Sequence, residues 1–170
     1  IITFSIYFLI GISIYKDYGI GIEEHFQRQN GFYWLNYILS FTEFQNLSEL
    51  VGQKYQNILL DNPGLPKASH FDYYGILFDL PAAFLEVILN LESSKLYFEL
   101  RHLLNFLIFF VGSIFFFKIL SKRFNFTLSL LGLFIYILSP RIFGDSFHNN
   151  KDILFLSIFT IALYYCFEIF

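Results

Sequence analysis

The chain of 170 residues contains no methionine, one cysteine, one tryptophan and four prolines, and only 15% of its residues are charged. Each shortage excludes something. With Cys166 the single cysteine, no intrachain disulfide can form, and cysteine usage says nothing of the redox compartment. Eleven lysines and arginines stand against 14 aspartates and glutamates, for a net charge of -3, so the basic face that displaces counterions from nucleic-acid phosphates is missing. His25, His70, His102 and His148 share no HExxH-type spacing, so no metal site is assigned. No glycine-rich phosphate loop occurs either. Position 1 is isoleucine, and the chain starts and stops inside apolar runs, which reads as the N-terminal part of a longer protein, cut short at both ends.

What is abundant is apolar: 56% hydrophobic and 22% aromatic residues, with a mean hydropathy of +0.55. That composition belongs in a bilayer. Ile1 to Tyr15 has neither a basic flank before it nor a small-residue cleavage site after it, so it reads as the tail of a membrane helix and not as a signal peptide. Leu103 to Phe117 is uncharged and flanked by Arg101-His102 and by Lys118, Lys122 and Arg123, whose long side chains can reach the headgroups. Phe126 to Ile142, broken near its end by Pro140-Arg141, and Ile153 to Phe167 are further apolar runs of this kind. The expected fold is therefore all-α and polytopic. Four spans are expected, at about 1–15, 99–119, 125–143 and 152–170, all parts of one transmembrane domain covering 1–170.

Between the first two spans lies a long mixed segment, about 16–98. Lys16 to Arg28 brings Asp17, Glu23, Glu24, His25 and Arg28 into thirteen residues just where the first apolar run ends. In Phe32, Trp34, Leu35, Ile38, Leu39 and Phe41 the spacing approximates one helical face, and tryptophan and tyrosine prefer the headgroup region, so this stretch is expected to lie in the interface. Glu49 to Leu60 predicts a short helix that Asp61-Asn62-Pro63-Gly64-Leu65-Pro66 ends. Tyr73 to Leu91 is apolar and nearly long enough to span, yet carries Asp79 and Glu86. An ionised carboxylate at the bilayer centre costs on the order of 3 kcal/mol, which favours an interfacial or re-entrant helix.

Lys118, Lys122 and Arg123 form the compact basic loop between spans, which the positive-inside rule makes cytoplasmic. The segments 16–98 and 144–151 then become external loops. Glu23, Glu24, Lys67, His70, Arg101, Arg141, Asp145 and Asp152 are thereby expected on one external face. Asp152 also has a plain structural reading as a helix cap, since Asn149, Asn150 and Asp152 are all good capping types.

The order of these elements resembles that of the polytopic glycosyltransferases of the GT-C superfold, in particular the protein O-mannosyltransferase and aminoarabinose transferase group. Glu23-Glu24 stands where that family has Asp-Glu. Arg101-His102-Leu103-Leu104 resembles its arginine at the start of the second span, and Ser139-Pro140-Arg141 through Asp152 its second acidic loop. Two departures are plain: glutamate replaces the first aspartate, and the family's His-Pro-Pro-x-Gly-Lys stretch is reduced to His70 and Gly75.

The resemblance implies an inverting transfer of a sugar from a polyprenyl-phosphate donor to a hydroxyl of a protein or lipid acceptor. It implies Glu23, with Glu24, as the general base, and Arg101, Lys67 and His70 as the donor-phosphate contacts. Asp152 or Asp145 would be the second acidic site. No cofactor is implied, and a divalent metal is left open. The setting would be the bacterial inner membrane or the endoplasmic reticulum, with the active face periplasmic or lumenal. A different class stays in play: a non-enzymatic polytopic protein, a transporter or a complex scaffold, in which Arg141 and Asp152 mark a substrate path.

Overall fold

The computed structural model describes residues 2–65 and 73–169. Among them the regular structure is helical and no strand occurs: α1 Ile2–Ile14, α2 Glu24–Leu39, α3 Gln45–Asp61, α4 Asp79–Ile88, α5 Ser94–Arg123, α6 Phe126–Leu138, α7 Pro140–His148 and α8 Asp152–Ile169. The chain divides into two compact units. One, here the apolar unit, comprises Ile1–Gly19 and Arg101–Phe170; the other, the intervening unit, is Ile20–Leu100.

In the apolar unit, α5 and α8 are long and apolar enough to cross a membrane, and α6 with α7 makes a third candidate if the bent pair is one span. The thirteen residues of α1 rise only about 20 Å, against roughly 30 Å of hydrocarbon. The expected third span is broken where the sequence places Pro140. Ser139, just before it, takes ψ 118°, the extended backbone that a following proline imposes. Pro140 then starts α7 at a first-turn position, where its missing N–H costs nothing, and the two helices meet at 59°. Because α7 runs on to His148, much of the expected loop 144–151 is helix.

Ring contacts give the directions. Phe4 meets Phe117, Tyr7 meets Phe106 and Phe110, and His102 lies against the carbonyl of Tyr15; α1 therefore runs antiparallel to α5. Gly112 faces Ser157, Phe115 faces Tyr164, and Lys122 pairs with Glu168, so α5 and α8 run parallel. At Gly112 a β-carbon would stand 2.9 Å from Ser157 Cβ and 3.0 Å from its Cα, the close small-residue approach that membrane helices use. Tyr7, Phe106, Phe109, Leu133, Ile137, Phe147 and Ile153 form the core.

The intervening unit is not a set of helices laid flat on a surface. Phe32, Leu35 and Leu39 of α2 turn inward onto Val51, Tyr55 and Ile58 of α3 and Ala83 and Val87 of α4. The face expected to meet lipid is thus largely core, while Ile38 and Phe41 are exposed. The ambiguous apolar segment becomes α4, ten residues long and far too short to span. Its two carboxylates are buried with partners from α2: Asn30 Nδ2 donates to Asp79 Oδ2 at 3.0 Å, and Arg28 holds Glu86 through both oxygens. Asn90 ends α4 at φ 48°, with Asn90 and Leu91 N–H returning to the carbonyls of Val87 and Glu86, a left-handed cap that asparagine tolerates.

The α2–α4 contact is close because residue 31 has no side chain. A β-carbon on Gly31 would collide with the backbone carbonyl of Asp79 and stand 3.2 Å from Ala83 Cβ. No rotamer relieves a backbone clash. Gly31→Ala is expected to destabilise the unit by about 3 kcal/mol, at the upper end of overpacking costs. Gly52→Ala in α3, where the nearest atom would be Asn36 Oδ1 at 3.4 Å, should instead gain on the order of 0.5 kcal/mol from helix propensity. Thermal unfolding followed by fluorescence of Trp34, the single tryptophan, measures both.

Candidate functional site

Helix directions sort the polar side chains of the apolar unit to its two ends. The C-terminal end of α5 carries Lys118, Lys122 and Arg123; Lys122 pairs with Glu168, Lys118 lies over the rings of Phe115 and Tyr164, and Arg123 lies over Phe167. The opposite end holds Tyr15, Tyr18, Arg101, His102, Asn105, Arg141, Asp145 and His148. The basic cluster and the acid–histidine cluster are separated by the length of α5.

At that second end Arg101, His102 and Asn105 are all buried. Arg101 and Asn105 are four residues apart and share one face of α5. Asn105 Nδ2 donates to the backbone carbonyl of Asp145 at 3.1 Å, which ties α7 to that face. Around the Asp145 carboxylate, His148 Nε2 stands at 3.6 Å from Oδ1 and Arg141 Nε at 3.8 Å from Oδ2. Both neighbours come from helical spacing, three and four residues away. His102 Nδ1 lies 3.3 Å from the Tyr15 carbonyl; a carbonyl only accepts, so Nδ1 carries the proton there. Tyr18 stacks on Phe147 with centroids 4.3 Å apart and continues toward His148. Burial pushes the Tyr18 phenol up, so it is a neutral hydrogen-bonding group at physiological pH.

Asp152, the other candidate for the second acidic site, has a structural role. Its backbone N–H donates to Asn149 Oδ1 at 3.1 Å, and its Oδ2 accepts from Asn149 Nδ2 at 3.0 Å, while Ile153 N–H returns to the Asn149 carbonyl. This reciprocal arrangement caps the start of α8. Asn149→Ala is expected to cost about 1 kcal/mol of stability. Asp152→Asn, which keeps an accepting side-chain oxygen, should cost less. Thermal melts of the two variants beside wild type decide it, and the reverse ranking would remove the cap.

Glu23 and Glu24 belong to the intervening unit and differ sharply. Glu24 is buried, and its Oε2 accepts the Gly21 N–H at 2.5 Å, closing the turn that leads into α2. Glu23 is exposed and makes no side-chain cap bond. Of the two expected base residues, Glu24 is therefore the buried one and binds the backbone, while Glu23 stands in solvent. Lys67 and His70 lie outside the described residues.

The same unit holds a half-open pocket of about 300 Å³ lined by Arg28, Lys54, Asn57, Ile58, Asp61, Leu91, Glu92 and Tyr97. Lys54 Nζ donates to the Leu91 carbonyl at 3.2 Å. Arg28 is sandwiched, 3.6 Å from the centre of the Tyr97 ring and 5.2 Å from that of Phe32. Nearby, burial raises the Tyr55 phenol pKa, with a Gln29 hydrogen bond opposing it. Among the described residues no group of three or more His, Cys, Asp or Glu side chains is placed to hold a metal ion.

Sequence reasoning named Arg101, Arg141 and Asp145 but passed over Asn105 and His148 as their partners. The signal is present as i,i+4 from Arg101 and i,i+3 from Asp145, and stays hidden while 144–151 reads as a loop with no fixed spacing. Comparison of the chain with protein-family models, with curated proteins and with solved structures finds no match.

Proposed function

We propose that the chain belongs to a membrane glycosyltransferase that moves a sugar from a polyprenyl-phosphate donor to an acceptor hydroxyl, with inversion, on the periplasmic or lumenal side. One observation carries this reading: Arg101, Asn105, Asp145, His148 and Arg141 stand at the end of α5 opposite to Lys118, Lys122 and Arg123. With the basic end cytoplasmic, the acid–histidine end faces outward, where a lipid-linked donor presents its phosphate at headgroup depth. The order of elements that resembles the GT-C superfold supports the same assignment.

The chemistry asks for two things. The acceptor oxygen bonds to the anomeric carbon while the bond from that carbon to the phosphate oxygen breaks, and its electron pair stays on the phosphate. The hydroxyl proton must go to a base, and the Asp145–His148 pair is suited to take it. The phosphate becomes a monoester and gains charge, which the planar guanidinium forks of Arg101 and Arg141 are suited to hold.

Membranes carrying the chain, given a panel of labelled polyprenyl-phosphate sugars, should transfer sugar from at least one donor. The second reading is a non-enzymatic polytopic protein, and a specific observation favours it: Glu24 and Asp152, two of the expected site acids, each bind local N–H groups at a helix start. Absence of transfer from every donor would put that reading first.

A further inference from the structure

The turn between α2 and α3 exposes an apolar corner. Trp34, Tyr37 and Phe41 form an edge-on ladder with ring centroids 5.7 and 5.0 Å apart, and Phe41 and Phe44 are 74% and 67% exposed, with Ile38 at 41% beside them. These are not residues left over from an incomplete core. The core of this unit closes on the inner side of the same helices, through Phe32, Leu35, Leu39 and Val51.

Charge decides what the corner fits. From Gln29 to Thr42 no residue is charged, and between Arg28 and Lys54 the charges are Glu43 and Glu49. An acidic surface, whether anionic lipid or nucleic acid, would be repelled by such a corner. The exposed Tyr37 beside fully apolar phenylalanine matches the boundary between headgroups and acyl chains, where an amphipathic ring has one wet and one dry side. The same polypeptide supplies helices long and apolar enough to cross a membrane, so a bilayer is the surface this chain already meets.

We infer that Phe41 and Phe44, backed by Tyr37 and Ile38, form a wedge that inserts into the headgroup–acyl boundary of a zwitterionic bilayer. Contact is by apolar insertion and not by charge, so salt does not weaken it. This stands apart from the proposed transfer reaction and holds whether or not the chain is an enzyme.

Trp34 is the single tryptophan and serves as the reporter. The full chain is reconstituted in phosphatidylcholine vesicles whose acyl chains carry bromine either near the headgroup or near the bilayer centre. Trp34 emission should be quenched by shallow bromines and much less by deep ones, equally at low and high salt. Phe41→Asp with Phe44→Asp, at unchanged helical circular dichroism, should lose the quenching. A second reporter does not depend on that variant folding: Trp34→Phe with Phe41→Trp should be quenched more strongly than wild type. Quenching at neither depth in both reporters, or quenching that the double aspartate variant retains, overturns the wedge. Blue-shifted emission without bromine quenching means that protein, a second copy or another chain, covers the corner, and overturns it equally.

Discussion

Glu86→Ala is expected to destabilise the intervening unit by about 3 to 5 kcal/mol, enough to unfold it near physiological temperature. The side chain of Glu86 is 1% exposed and that of Arg28 11%, and the two meet through three N–H···O contacts of 2.6, 3.0 and 3.2 Å. Alanine at 86 leaves a guanidinium among Phe32 and Tyr97 with its counter-charge removed. The loss exceeds any surface pair because the alternative partner, water, is largely shut out. Arg28→Ala should cost a similar amount, since it strands the carboxylate and also removes the cation–π contact with Tyr97. Arg28→Met with Glu86→Leu, which removes both charges and keeps the volume, should be markedly less harmful than either alanine variant. Trp34 fluorescence in a denaturant or thermal scan reads all three. A double variant as unstable as the sum of the singles would mean that the pair acts through shape and not through charge.

The same pair shows where sequence reading stopped. Glu86 and Asp79 were legible as carboxylates costly to a span, and that cost favoured an interfacial or re-entrant helix for Tyr73 to Leu91. Their partners were not legible, because Arg28 lies 58 residues and Asn30 49 residues away, and no local period links them. The helical spacing of Phe32, Leu35 and Leu39 was also legible, but periodicity marks a face as apolar without saying whether lipid or protein covers it. Here α3 and α4 cover it. Membrane-length runs at α5 and α8 were readable directly, since length and hydropathy suffice, as was the break at Pro140. Missing from the reading was the continuation of α7 to His148, which joins Asp145 and His148 of a supposed loop with Arg141 in one helical cluster. For Asp152 the capping reading was legible from the residue types Asn149, Asn150 and Asp152, and its hydrogen bonds to Asn149 are those of a cap.

The remaining large effect concerns chemistry. Asp145 is partly exposed, flanked by His148 and Arg141, and its backbone is tied to the buried Asn105 of α5. A carboxylate in that position can hold the imidazole and take up the charge that forms when a proton arrives. Asparagine keeps the size and a hydrogen-bonding oxygen but cannot stabilise a protonated ring. Asp145→Asn is therefore expected to lower sugar transfer by about 10² to 10⁴-fold, the range for loss of general acid–base assistance, with little change in thermal stability. Glu23→Gln alters an exposed side chain that caps nothing, and its effect should be no more than a few-fold.

The most direct measurement places these two variants beside wild type in one transfer assay, at matched protein level in the membrane, with the donor that wild type uses best. Transfer lost in Asp145→Asn and kept in Glu23→Gln is the predicted result. Transfer kept in Asp145→Asn and lost in Glu23→Gln would contradict the account, moving the base from the polar end of α5 and α7 to the acidic stretch before α2.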